Sequence, residues 1–154
     1  MMNNLIVIRA GNDMTVRDLE ITSIEGRRFT RRKEVLGQVK IDTNSTVTLV
    51  NELNPKEADV DFRLAISYGS LGMLKLEGRL IYEGDADALA KEWHSKHSMP
   101  TEMANEIHTS ILHTCIPETV ILARDLGLPP PIPLPKVNIQ EPRKASVPSN
   151  MEVA

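Results

Sequence analysis

The sequence predicts an α+β fold in which an antiparallel sheet comes first and helices pack on one of its faces. Three observations predict it. Most of the first 83 residues carry strand-type alternation of apolar and polar side chains. The stretch from Met103 to Leu126 carries apolar residues at helical spacing instead. Strands followed by helices, rather than alternating with them, is the order of an antiparallel sheet covered on one side.

Taken in order, Leu5 to Ile8 reads as a short strand ended by the turn-forming Ala10-Gly11-Asn12-Asp13. Leu19 to Thr30 is β-prone with broken alternation, and Gly26 is a candidate for the bulge that breaks it. Val39, Ile41, Thr43, Ser45, Val47 and Leu49 share one parity, which predicts a half-buried strand up to the break at Asn54-Pro55. The clearest signal is a hairpin. Val60 to Tyr68 and Leu74 to Tyr82 alternate dry and wet side chains around the turn Gly69-Ser70-Leu71-Gly72.

Asp85 is placed to cap a helix reaching Lys96, with Leu89 and Trp93 on one face. Pro100 suits the first turn of the next helix, and Glu102 its positive end. Pro117 lies inside the apolar stripe, so a kink or a split into two helical pieces is expected there. Gly127 fits a left-handed cap. The prolines between Pro129 and Pro135 predict an extended segment, with Leu128, Ile132, Leu134 and Val137 available to bury.

The 154 residues divide into one domain over 1–139 and a polar, aperiodic tail over 140–154 that is expected to be disordered. Aromatics are scarce, so the core is expected from Leu, Ile, Val and Met. A net charge of −3 argues against nucleic acid as the main partner. The single cysteine, Cys115, excludes an intrachain disulfide and fits a reducing compartment. No apolar run approaches the ~20 residues of a membrane span, so no membrane insertion and a cytoplasmic location are expected.

The order of these elements, the strand-like IDTNSTVTLVNEL and the helix ending ARDLGLPPPIPLPKVNI together resemble the SecB-like family of export chaperones and their archaeal relatives. The resemblance spans about Leu19 to Ile139. It implies a strongly twisted four-stranded sheet and an ATP-independent holdase that binds unfolded or extended polypeptide without being an enzyme. It also implies a homo-oligomer, a dimer or tetramer, and in bacterial members a handover to the export motor SecA. The charge of −3 departs from the more acidic family pattern.

Candidate sites follow from residue chemistry. Trp93, Met99, Met103, Leu128, Ile132 and Leu134 are the candidates for polypeptide binding, since methionines adapt to varied partners and uncovered apolar surface marks interaction. The alternative is a polyanion or nucleic-acid site at Arg27, Arg28, Arg31, Arg32 and Lys33, where residues 17–40 hold seven positive and four negative side chains. A scaffold subunit with one dedicated partner is a third reading. His94, His97, His108, His113 and Cys115 lack the spacing of a metal site, so neither metal nor cofactor is expected. Asp59 and Asp61 lie on the wet face of a strand and Asp85 and Asp87 at a helix start, so no catalytic residue is assigned.

Overall fold

Two alternating runs separated by Gly69-Ser70-Leu71-Gly72 form the central hairpin, one further strand flanks it on each side, and the helices lie against its dry face. The computed structural model describes residues 15–34 and 37–133. Within them lie β1 (Val16–Arg28), β2 (Asp42–Asn54), β3 (Glu57–Ser67), β4 (Gly72–Glu83), α1 (Ala86–Lys96) and α2 (Thr101–Leu126). The strands form one sheet in the order β1-β4-β3-β2, and every neighbouring pair is antiparallel. β2, β3 and β4 follow as a meander, while β1 pairs with β4 at the far edge, which is a Greek-key arrangement. The expected strand over Leu5 to Ile8 and the tail over 140–154 lie outside the described residues.

The central pair keeps strict alternation. Val60, Phe62, Leu64 and Ile66 of β3 and Leu74, Leu76 and Leu80 of β4 are buried, with their polar neighbours on the opposite face. The register sets Leu64 against Leu76 and Phe62 against Gly78. A methyl group on Gly78 would lie 2.3 Å from the Glu20 carbonyl oxygen and 2.5 Å from the Phe62 ring. The glycine therefore lets Phe62 lie across β4 without pushing β1 away.

The edge strands break their alternation, and not where the sequence places the break. Gly26 is not at a bulge. β1 is irregular between Arg17 and Glu20, where Asp18 has a left-handed φ of 51°, and again between Ile21 and Ser23. Gly26 instead accommodates Leu126 of α2, whose Cδ1 would lie 2.8 Å from an added Cβ. In β2 the register breaks between Val47 and Leu49 and again between Glu52 and Asn54. Because strand parity is two, one inserted residue swaps the faces. Val50 is thereby buried and Leu49, expected on the dry face, is 50% exposed. Val39 and Ile41 precede the strand but still pack on the core.

The helices close the dry face. Asp85 Oδ1 accepts the Ala88 N–H at 3.0 Å, as its capping role requires. α2 is one continuous helix through Pro117, not two pieces. Pro117 and His113 both lie on the exposed side, where water can serve the carbonyl that loses its donor. The neighbouring Ile111, Cys115 and Thr119 are buried and hold both halves on the sheet. Gly127, with φ 67°, ends α2. Its N–H reaches the Arg124 carbonyl at 3.1 Å and that of Leu128 reaches Ala123 at 2.8 Å. This is a Schellman cap with a buried Leu128 behind it.

Gly78→Ala is expected to destabilise the protein by about 1–3 kcal/mol, since the backbone of Glu20 cannot yield as a side chain would. Urea unfolding followed by far-UV circular dichroism measures it. An unchanged midpoint would show that β1 is not held this close to β4.

Candidate functional site

Four regions carry the candidate residues, and the fold uses them differently. The basic cluster leads from β1 into the crossover toward β2, and the fold brings it to the C-terminal end of α2. Arg28 Nη1 donates to the carbonyls of Gly127 at 2.5 Å and Leu126 at 3.3 Å. Arg32 Nη2 donates to that of Asp125 at 2.8 Å. The last carbonyls of a helix lack intrahelical donors and carry its negative dipole end, so these two guanidiniums supply what the helix is missing. Arg28 also donates to Thr30 and Arg31 carbonyls, and Arg27 lies 3.6 Å from Glu25. Of the five positive side chains, Arg31 and Lys33 show neither a side-chain hydrogen bond nor an ion pair among the described residues.

The proline-spaced segment starts at this same end. Leu128 is buried with Tyr68, Leu71, Leu74 and Ala123. The Tyr68 hydroxyl donates to the Pro129 carbonyl at 2.7 Å, and burial pushes its pKa to about 12. Leu128 thus anchors the segment, while Ile132 is 38% exposed. Leu134 lies outside the described residues. Trp93, Met99 and Met103 are half-buried on the main core, around the passage from α1 to α2. Trp93 meets His97 edge-on, with ring centroids 5.8 Å apart.

The histidines and the cysteine do not converge. His94, His97 and His113 are exposed. Cys115 is fully buried, and its thiol is pushed up to about 11 by that burial. Among the described residues no group of three or more His, Cys, Asp or Glu side chains could hold a metal ion. His108 faces the sheet, with Nδ1 2.8 Å from Ser45 Oγ of β2, and burial lowers its pKa.

The face of the sheet away from the helices is charged. Arg17 bridges Glu57 at 2.7 Å and also pairs with Glu83. Arg79 pairs with Glu20 at 3.3 Å and Arg63 with Glu77 at 3.1 Å. The Arg17 hydrogen bond holds the Glu57 carboxyl below its ordinary value. Exposed pairs of this kind add little stability, but they keep the surface wet. Along β2 the character changes. Leu49 follows the first irregularity and Leu53 lies within the second, and the two are 50% and 52% exposed. β2 is also an edge strand, whose outer backbone groups pair with no other strand among the described residues.

Leu49 and Leu53 were not among the residues the sequence singled out. The bulge that exposes Leu49 has no signal in a run whose alternation looks unbroken. Leu53 did carry one, since it is an apolar residue in the last turn-flanking positions of a strand.

No family model matches the chain, and no curated protein matches it. Among solved structures, the SecB-like chaperone of Mycobacterium tuberculosis, determined in complex with a peptide from an antitoxin, is a distant neighbour. The two share 13% identity with a TM-score of 0.46, over 80% of this chain and 86% of that one. Among the described residues no helix is long and apolar enough to cross a membrane.

Two outcomes follow from this geometry. Arg28→Ala should lower stability by about 1 kcal/mol, because the Leu126 and Gly127 carbonyls lose their guanidinium donor while Arg32 still serves Asp125; a denaturant series would show no change if the guanidinium only decorates the surface. His108 sets a pH dependence. The unfolded histidine takes up a proton near pH 6.5, and the folded one only at lower pH. The unfolded state then holds more protons in that window, so stability falls as pH drops through it. Melting curves from pH 7.5 to 5.0 should show a steeper loss for the native chain than for His108→Asn.

Proposed function

We propose that this protein is a SecB-like, ATP-independent holdase that binds unfolded or extended polypeptide and has no catalytic centre. The observation that carries the reading is the β2 edge. Thirteen residues, Asp42–Asn54, offer backbone donors and acceptors along a sheet edge, with Leu49 and Leu53 half exposed beside it. An extended chain satisfies such an edge by adding a strand, and its alternate side chains then fall on the apolar positions. Main-chain pairing is indifferent to sequence, which suits a binder of many unfolded segments.

Other apolar ground is distributed rather than gathered in one groove. Trp93, Met99 and Met103 are half-buried at the helix junction, and Ile132 is exposed beyond the Leu128 anchor. These residues extend the surface that a longer client would cover. The order of four antiparallel strands before the helices, which the resemblance implies, is the order found. Assembly into a dimer or tetramer and a cytoplasmic site of action belong to the same reading. The basic cluster supports the polyanion alternative less, because Arg28 and Arg32 are committed to the end of α2.

The test is aggregation of a chemically denatured client, followed by light scattering, without nucleotide. Suppression is expected near stoichiometric protein. The double variant Leu49→Asp with Leu53→Asp should raise the concentration for half suppression about tenfold, since two half-exposed leucines lose their apolar contact. Both positions are exposed, so the variant keeps its fold, which circular dichroism checks. No suppression at tenfold excess of the native chain would sink the reading.

A further inference from the structure

The end of the sheet that carries the β3–β4 turn displays an arrangement that strand addition at β2 does not use. Phe29, just past β1, is 58% exposed, more than any other large apolar side chain among the described residues. Its backbone is fixed. The Phe29 N–H donates to the Leu71 carbonyl at 2.9 Å, and Arg28 beside it is tied to the Thr30, Arg31 and Gly127 carbonyls. The ring is therefore held out in water by bonded main chain on both sides. Ile132 is exposed at the same end, because its segment is pinned there by Leu128, which packs with Leu71, and by the Tyr68 bond to Pro129. One exposed apolar side chain is ordinary, but two at one strongly basic end mark an interaction surface.

The charge at this end has one dominant sign. Residues 27–34 leading out of β1, 40–42 leading into β2 and 124–125 ending α2 hold seven positive and three negative side chains. The fold gathers them through the pairing of Arg28 with Gly72, that of Asp42 with Ser67, and the Arg28 bond to Gly127. The opposite end, around Tyr82, is acidic, with Asp85, Glu102 and Glu106 all acting on that phenol. A chain of net charge −3 thus turns a basic end outward. Capping α2 explains Arg28 and Arg32. It does not explain Arg31 and Lys33, which are exposed, or Arg27, whose side chain is 69% exposed and meets only Glu25.

We infer that this end docks on the surface of a bilayer containing anionic lipid, with Arg27, Arg31 and Lys33 against the headgroups and Phe29 and Ile132 in the boundary layer beneath. The protein lies on such a membrane without spanning it. Cations attract it from a distance, and the apolar pair anchors it on contact. Nucleic acid fits the same charge less well. Single strands are held on successive stacking rings, but at this end Tyr68 is buried, Phe29 stands alone, and the aliphatic Ile132 cannot stack on a base. Acyl chains accept both side chains whatever their shape. Leu53 lies at the far end of β2, beside the turn to β3, so a docked molecule keeps that part of the edge clear. The inference goes beyond the holdase reading and does not depend on it.

The test is co-sedimentation of the full chain with vesicles of phosphatidylcholine, alone or with about one third phosphatidylglycerol. At low salt the anionic vesicles are expected to bind it at least about tenfold more tightly, the worth of a few surface cations. High salt should remove most of the difference. Arg31→Glu with Lys33→Glu should abolish it, and Phe29→Ala should weaken anionic-vesicle binding about fivefold. These side chains are exposed, so the variants keep their fold, which circular dichroism checks. Equal sedimentation with both vesicles, or none with either, would overturn the inference. Full binding by Phe29→Ala would also overturn it, since phosphate charge alone is then read. Tighter binding of single-stranded polyuridine than of anionic vesicles, at equal phosphate, would make RNA the partner and overturn it too. No client is present in this assay, so its outcome is separate from that of the aggregation test.

Discussion

The structure depends on burying one dry sheet face, formed by alternate residues of β3 and β4, beneath α2. Phe62, Leu64, Leu76 and Leu80 are almost wholly removed from water. Each such side chain contributes about 1.5–3 kcal/mol, so the central hairpin supplies more drive than any cap or ion pair in the molecule. The positions of the other parts follow. α2 is long because it spans this face, and it stays whole through Pro117 because Cys115 and Thr119 are held on the sheet. Its C-terminal end must then be served from outside, and Arg28 and Arg32 reach it from the crossover.

Covering the middle of a sheet leaves its edges. β1 is bent by two irregularities, which raise local twist and disfavour pairing with another strand. β2 is likewise interrupted twice, but its first bulge turns Leu49 outward instead of protecting the edge. A protein selected only to remain monomeric and soluble would place charge there, as this chain does across β1, β3 and β4 with Arg17, Arg63 and Arg79. The contrast between the ion-paired strands and the apolar edge within one face is what gives β2 a functional reading.

What the sequence made legible is what local physics decides. The β3–β4 hairpin, the Asp85 cap and the left-handed Gly127 each depend on a few neighbouring residues, and each is found where expected. What it concealed depends on contacts between distant residues. Gly26 looks like a bulge residue until Leu126, a hundred positions away, is seen to require its missing side chain. Arg28 looks like part of a polyanion site until the Gly127 carbonyl is placed 2.5 Å from it. The face swap at Leu49 arises from one extra residue, which leaves the apolar pattern readable in either register. Trp93, Met99 and Met103 fall near the helix junction as hydrophobic periodicity suggests, but Tyr82 joins them only through the fold.

Local rules are broken at several places, and the consequences separate structural causes from functional ones. The left-handed Asp18 coincides with a bulge that keeps β1 in register with β4, which is reason enough for it. Thr30 Oγ1 and Asp59 Oδ1 are buried without a partner among the described residues, and Asp59 lies on β3 directly opposite Asn51 of β2. The exposed Leu49 and Leu53 have no such internal explanation. They gain apolar cover only when another molecule arrives, and an extended apolar chain along β2 supplies it. Costs left unrelieved in the isolated chain are expected where a site awaits its occupant.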